Sequence, residues 1–279
     1  MILRPLNRVL PRRVSDLACF LLVAIFVPVT YIFQTTIVLP ELHDVGGFWY
    51  SAIWVAGLFL VFNLTSNMLA CMLVDTTIKI VILKPPMEPD LRCRWRMCEE
   101  CQALVPPRSQ HCDVCKICVL KRDHHCLFTC CCIGHYNYRY FFYFLVYMAI
   151  GSLYVSINTS IYLWYLHADV YWRLYTLLKL IFPALLLVID SSWANFYLFV
   201  YELNLLAFSM STLLLLFHWP VIAHGATAKQ RRGKDFDLGL RGNLEMVLGK
   251  RMFLTWLSPF VRSELPHDGI NWMPNAKEN

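Results

Sequence analysis

Long apolar runs, and not alternating patterns, dominate the chain. They cover about Leu17 to Leu39, Trp49 to Val74, Tyr140 to Leu166 and Phe196 to Ile222. A helix needs about 20 residues to cross a hydrocarbon core of about 30 Å, so each run is long enough to span a bilayer. The first run follows Arg4, Arg8, Arg12 and Arg13. A secretory leader also begins basic, but its apolar core is only about 7–15 residues, so an uncleaved spanning helix is expected here. Trp49, Tyr50 and Trp54 open the second run where an interfacial aromatic belt belongs. Asn63 and Asn67 share a helix face, which predicts hydrogen bonding between helices ahead of a substrate role. Leu180 to Ile189 is a shorter apolar stretch between Lys179 and Asp190, with Pro183 inside. Its length predicts a re-entrant or interfacial segment, with a fifth span as the alternative.

The pattern predicts an all-α polytopic membrane protein with four transmembrane helices and a polar, Cys-rich domain between helices 2 and 3. The expected divisions are residues 1–74 (spans about 17–39 and 49–74), 75–139 (the Cys-rich domain), 140–224 (spans about 140–166 and 196–222) and 225–279 (a tail). Composition agrees. Of 279 residues, 58% are hydrophobic and only 16% charged, against about 45–50% and 25% in soluble domains.

Charge orients the helices. Four Lys and Arg precede the first run, ten lie from Lys79 to Arg139, and nine from Lys229 onward; the stretch between the first two runs has none and carries Glu41 and Asp44. Cytosolic loops collect Lys and Arg, so the N-terminus, the Cys-rich segment and the tail are expected in the cytosol. The net charge of +6 fits that basic membrane face and needs no nucleic-acid partner. No repeat of 20–50 residues is visible. Asn158-Thr159-Ser160 spells a glycosylation sequon, but inside an expected span.

Ten of the twelve cysteines fall between Cys93 and Cys132. They read Cys98-x-x-Cys101, then His111-Cys112-x-x-Cys115-x-x-Cys118, then Asp123-His124-His125-Cys126, then Cys130-Cys131-Cys132. Cytosolic thiols stay reduced, and Cys-x-x-Cys pairs with nearby His are zinc-ligand spacing. Structural zinc takes four ligands. His111 and Cys112 are adjacent, so their side chains diverge toward two different ions. Two ions require eight ligands, and the segment offers more.

Asp123-His124-His125-Cys126 is the signature of the Asp-His-His-Cys (DHHC) protein S-acyltransferases, or palmitoyltransferases, and the chain resembles that family over most of its length. The Cys/His spacing, Gly134, Asn137, and the tail residues Asp237, Gly239, Asn243, Gly249, Trp256 and Pro259 follow the family pattern. The resemblance implies one zinc on Cys98, Cys101, His111 and Cys118 and a second on Cys112, Cys115, His125 and Cys132. It leaves Asp123, His124 and Cys126 as catalytic candidates. Only the thiolate of a cysteine is a nucleophile, and an adjacent imidazole oriented by a carboxylate can take its proton. Cys126 is expected to accept an acyl chain from acyl-CoA (palmitoyl-CoA) and pass it to a substrate cysteine. The implied partners are membrane lipid, acyl-CoA and cysteine-containing membrane-associated proteins. The implied location is the endomembrane system, Golgi or endoplasmic reticulum ahead of plasma membrane.

The chain departs from the family in three places. Leu127-Phe128-Thr129-Cys130-Cys131-Cys132 stands for Pro-Trp-Val-Asn-Asn-Cys, Asp75-Thr76-Thr77 for Asp-Pro-Gly, and Ala226-Thr227-Ala228-Lys229 for Thr-Thr-x-Glu. Cys19 and Cys71 are read as packing residues. For Cys93, Cys130 and Cys131 the leading reading is no special role, with acylation of surface thiols near the membrane as the alternative. Lys116, Lys121, Arg122 and Arg139 are candidates for the coenzyme A phosphates, with a solvated basic face meeting anionic lipid as the leading alternative. Glu202 is expected at the interface, since a charge inside the membrane is costly. A non-catalytic zinc adaptor would not need Asp123, His124 and Cys126 together. A RING-type ligase would place its ligands in another order.

Overall fold

The computed structural model describes residues 2–182, 191–230 and 235–273. Among these, four helices are long and apolar enough to cross a membrane: α1 (Val14–Leu42), α2 (Phe48–Leu73), α3 (Tyr138–Leu166) and α5 (Trp193–Ala223). Two shorter helices are α4 (Leu174–Ile181) and α6 (Gly239–Leu248). Residues 183–190, which hold most of the expected re-entrant segment, lie outside the described residues.

The long helices expose large apolar side chains, for example Ile25, Val55, Ile157 and Leu213. Water would penalise each of these, whereas lipid does not; contiguous apolar faces on this scale mark a membrane surface. The protein is accordingly an integral membrane protein.

The chain folds into two compact units. One comprises residues 24–64 and 145–214. Its core gathers Phe33, Val38, Leu163, Leu198 and Val200. Two buried amides bond along their own helices: Asn204 Nδ2 donates to Val200 O at 2.8 Å, and Asn63 Nδ2 donates to Phe59 O at 3.1 Å. Within this unit α1, α2 and α3 line a largely apolar cavity of about 80 Å³. Elsewhere in the unit both carboxylate oxygens of Glu202 are shielded, with no hydrogen-bond partner among the described residues.

The other unit comprises residues 1–23, 65–144 and 215–279. Here the all-α expectation needs correcting. The Cys-rich segment folds as three two-stranded antiparallel ribbons: β1 (Arg96–Cys98) with β2 (Ala103–Val105), β3 (Gln110–Cys112) with β4 (Ile117–Val119), and β5 (His124–Cys126) with β6 (Cys131–Ile133). Strands of three residues are too short to display alternation in a sequence. The ribbons pack over Val105, Ile117, Cys118 and Leu120. Gly134, just after β6, is required by close approach: a Cβ there would lie 2.6 Å from Leu120 O.

Candidate active site and metal centres

The ribbons repeat with a 14-residue period. Cys98, Cys112 and Cys126 each end the first strand of a ribbon. Gln102, Lys116 and Cys130 each turn the chain in the left-handed region, at φ of 48°, 53° and 53°. Three residues after the strand-end cysteine, the turn supplies Cys101, Cys115 and Thr129 in succession. Cys115 N–H donates to Cys112 Sγ at 3.4 Å, and Thr129 N–H makes the corresponding bond to Cys126. Each ribbon is therefore one Cys-x-x-Cys turn, except that the third has threonine in place of the second cysteine.

The second half of each metal set comes from the next ribbon. His111 pairs directly with Cys118 across β3–β4, and His125 with Cys132 across β5–β6. The first ribbon's turn (Cys98, Cys101) meets His111 and Cys118; the second ribbon's turn (Cys112, Cys115) meets His125 and Cys132. Within each set all four donor atoms lie within 4.8 Å of one another. His125 Nδ1 stands 3.7, 3.4 and 3.8 Å from Cys112, Cys115 and Cys132 Sγ, and His111 Nδ1 stands 3.6, 3.3 and 3.9 Å from Cys98, Cys101 and Cys118 Sγ. Four donors at about 2.0–2.3 Å from a tetrahedral ion stand roughly 3.5–3.8 Å apart. Three thiolates and one imidazole at these separations fit zinc at both clusters.

Asp16 completes the second cluster. This buried carboxylate, just inside α1, faces His125 Nε2 at 3.2 Å. A carboxylate behind a ligating imidazole fixes its tautomer and strengthens it as a donor.

The third ribbon has no successor, so its strand-end cysteine, Cys126, is left without a metal set. Strand alternation turns His125 toward the metal cluster and His124 and Cys126 to the other face. There Asp123 Oδ2 accepts from His124 Nδ1 at 2.8 Å, with the carboxylate wholly shielded from solvent. Asp123 Oδ1 accepts from Ala228 N–H at 2.8 Å, so the segment after α5 helps to hold it. Since Asp123 engages Nδ1, Nε2 is the His124 nitrogen available to Cys126, and these two side chains are hydrogen-bonded. His218, on α5, adds a second imidazole: its Nδ1 lies 3.7 Å from Asp123 Oδ2 and 2.8 Å from the Tyr138 hydroxyl. Its ring sits 5.2 Å from that of His124.

Burial pushes the Asp123 carboxyl up, but the His124 hydrogen bond, the charges of His124 and His218 and the Ala228 N–H outweigh it and hold the group below its ordinary value. Burial lowers His124, yet Asp123 and Cys126 raise it to about 9. Burial raises Cys126, while the His124 bond and charge and the two Thr129 bonds bring it below the ordinary thiol value. All three shifts favour charged partners in place of a neutral thiol and imidazole.

Several other readings of individual residues change. Cys130 and Cys131 are only 6% and 2% exposed, so they are not surface thiols; Cys93 is exposed. Of the four candidate phosphate-binding cations only Lys116 is solvated. Lys121 is buried with its ammonium 5.5 Å from the Trp272 ring, Arg122 Nε donates to Cys132 Sγ at 3.4 Å, and the buried Arg139 donates to the Tyr140 hydroxyl at 2.7 Å. Asp16, Thr129 and His218 escaped the sequence reading. Thr129 alone had a local signal, the 14-residue period; Asp16 and His218 lie 109 and 95 residues from the groups they face.

The family model for DHHC palmitoyltransferase matches residues 92–234. The chain belongs to the DHHC palmitoyltransferase family. It is 34% identical to the probable palmitoyltransferase ZDHHC24 of Danio rerio over 237 residues, covering 81% of this chain and 79% of that protein. It is 36% identical to the Mus musculus protein of the same name, over 75% of this chain and 74% of that one. It is also 36% identical to the palmitoyltransferase ZDHHC15 of Xenopus laevis, over 60% of this chain and 47% of that one. As a DHHC-family protein the chain is a protein S-acyltransferase.

Proposed function

We propose that this DHHC-family chain transfers a long acyl chain from acyl-coenzyme A to protein cysteines through a thioester on Cys126. The observation that carries the reading is the third ribbon: its strand-end thiol lacks a metal set and hydrogen-bonds an imidazole that a buried carboxylate holds. His124 already holds the proton of Cys126 as the thiolate attacks the donor thioester, and it gives that proton to coenzyme A, which leaves as its thiol. In the second step a substrate thiol gives its proton to His124 and attacks the acyl-Cys126 carbonyl, which frees Cys126. Asp123 keeps the imidazole oriented and stabilises its protonated form, the part a carboxylate plays behind any catalytic histidine. The donor's tail lies among the membrane helices, where each buried methylene contributes about 0.8 kcal/mol. Substrates are cysteine-bearing proteins at the cytosolic membrane face.

Cys98, Cys101, His111 and Cys118 hold one zinc, and Cys112, Cys115, His125 and Cys132 the other. A zinc bound at these closed four-ligand sites supplies folding energy and rigidity, not Lewis acidity. The ribbons thereby fix the strand that carries His124 and Cys126.

The test is labelling of the purified, zinc-loaded protein with radioactive palmitoyl-coenzyme A. Wild type should gain a label that neutral hydroxylamine removes, and Cys126→Ser should gain none while keeping two zinc ions. A hydroxylamine-sensitive label in Cys126→Ser that still passes to substrate would overturn the reading.

A further inference from the structure

The run Cys130-Cys131-Cys132 is sorted by the register of β5–β6. His125 lies opposite Cys132, and Cys126 opposite Cys131. Directly opposed residues of an antiparallel pair project from the same face. Cys132 therefore faces the metal cluster with His125, whereas Cys131 shares the face of the nucleophile. Opposed Cα atoms stand about 4.5–5.5 Å apart, inside the disulfide range of about 4.4–6.8 Å. Both sulfurs also touch one side chain: Cys131 Sγ lies 3.5 Å from the Thr129 hydroxyl, and Cys126 hydrogen-bonds the same group. Cys131 belongs to neither metal set. It is 2% exposed, and its sulfur also meets Cys71 O at 3.3 Å and accepts from Asn137 Nδ2 at 3.9 Å. Nothing in the acyl-transfer chemistry uses it.

We propose that Cys131 is a resolving thiol for Cys126, so that hydrogen peroxide converts the pair into a reversible cross-strand disulfide. In the first step the Cys126 thiolate attacks one peroxide oxygen. The O–O bond breaks, the departing hydroxide takes up a proton to become water, and Cys126 is left as a sulfenic acid. In the second step the Cys131 sulfur attacks the Cys126 sulfur. The S–O bond breaks, and the oxygen leaves as water with the thiol proton. Two thiols give up two electrons and one peroxide becomes two waters. Without a resolving partner a sulfenic acid advances to the sulfinic state, which simple thiols do not reverse. Cys131 thus turns a permanent loss of the nucleophile into a temporary one. The disulfide itself needs only the geometry; its effect on activity rests on Cys126 being the acyl carrier.

The experiment exposes the full-length zinc-loaded enzyme to graded hydrogen peroxide. The same samples are assayed for acyl labelling, for zinc content and, by mass spectrometry, for disulfide linkage. In wild type a Cys126–Cys131 link should appear in protein that still holds two zinc ions, labelling should fall with it, and dithiothreitol should restore both. In Cys131→Ser, and in Cys131→Ala as a second variant, peroxide should inactivate without recovery on reduction, and Cys126 should be found as sulfinic acid. The proposal is overturned if peroxide releases zinc before any such link forms. It is equally overturned if the link joins Cys126 to Cys130 or Cys71, or if the variants recover as fully as wild type. Should the link form and reverse while labelling is unaffected, the disulfide stands and the assignment of Cys126 as acyl carrier falls. Wild-type linkage mapping decides the geometry even if both variants fold poorly.

Discussion

His124 and His125 are neighbours in one three-residue strand, yet alternation gives them opposite surroundings. His125 points Nδ1 at three thiols, with Asp16 behind it; His124 points Nδ1 at Asp123 and leaves Nε2 to Cys126, the proposed nucleophile. His124→Ala should therefore keep two zinc ions and slow acylation by about 10²–10⁴, the usual contribution of a general base. His125→Ala should lose one zinc and activity together. Elemental analysis beside single-turnover labelling separates them, and the reverse pattern would exchange their roles. Lys121 poses a different residue-scale problem. Burial, then the Arg108 charge, lowers its ammonium to about 7, and Asp123 offsets this only in part; His135 and His267 also feel its charge. In the unfolded chain this lysine keeps its proton to about 10.4. Between about pH 7 and 10 the unfolded chain binds more protons at this site, so the site's contribution to stability rises with pH across that window. Lys121→Met should raise the melting temperature at pH 7 and flatten this part of the pH dependence, as read by thermal denaturation. If the lysine is kept to grip a phosphate of the donor, the same variant should also raise KM for acyl-coenzyme A. A lower melting temperature would mean that the ammonium is better accommodated than its burial indicates.

At the scale of elements, the ribbons explain which cysteines gather into metal sets and why the strand-end Cys126 stays outside them. Each cluster ties two successive ribbons, so a lost ligand should untie a definable part of the segment. Cys101→Ala should remove one zinc and loosen β1–β2, leaving His125 and Cys132 set against Cys112 and Cys115. Cys115→Ala should also remove one zinc but free β5–β6, and acyl labelling should fall much further. Hydrogen exchange over residues 96–133 distinguishes the two; identical patterns in both variants would show that the ribbons unfold as one unit. The ligand residue types were legible in the sequence because Cys-x-x-Cys spacing is a local feature. The long helices were legible because apolar runs of their length have few alternatives. The ribbons were not, since three-residue strands carry no period, and metal sets interleaved across ribbons leave only their spacing as a trace. His218 and Asp16 could not be found because nothing in their neighbourhoods distinguishes them. One lies among the apolar residues of α5 and the other after a run of arginines. The alternative of surface thiols at Cys130 and Cys131 falls with their burial, which a polar, basic segment does not reveal in its sequence.

For the whole molecule, the packing within one unit bears on the number of membrane crossings. Arg12 Nη1 donates to Cys115 O at 2.8 Å, joining the N-terminal segment to the ribbons. Ala228 N–H donates to Asp123, Arg108 Nη2 donates to Gly225 O at 2.6 Å, and His135 Nε2 donates to His267 O at 2.8 Å, joining the ribbons to the tail. Arg108 is further held between the rings of Phe236 and Trp272, 4.5 Å from each centroid. Segments in direct contact cannot lie on opposite sides of a bilayer. The chain must then cross an even number of times between the N-terminal segment and the ribbons, and again between the ribbons and the tail. We propose that α1 and α2 make the first pair of crossings, and α3 and α5 the second. From the excess of Lys and Arg in all three contacting segments we propose that their shared side is the cytosol. In sealed vesicles with the cytosolic face outward, tags at the N-terminus, within residues 84–94 and at the C-terminus should all be cleaved by added protease, while a tag between residues 43 and 47 should be protected. A protected C-terminal tag beside a cleaved tag in residues 84–94 would mean that 180–189 spans the membrane and that the tail reaches Asp123 in no membrane-embedded molecule. In that case the Ala228 bond that holds the Asp123 carboxylate would have to be replaced by another donor.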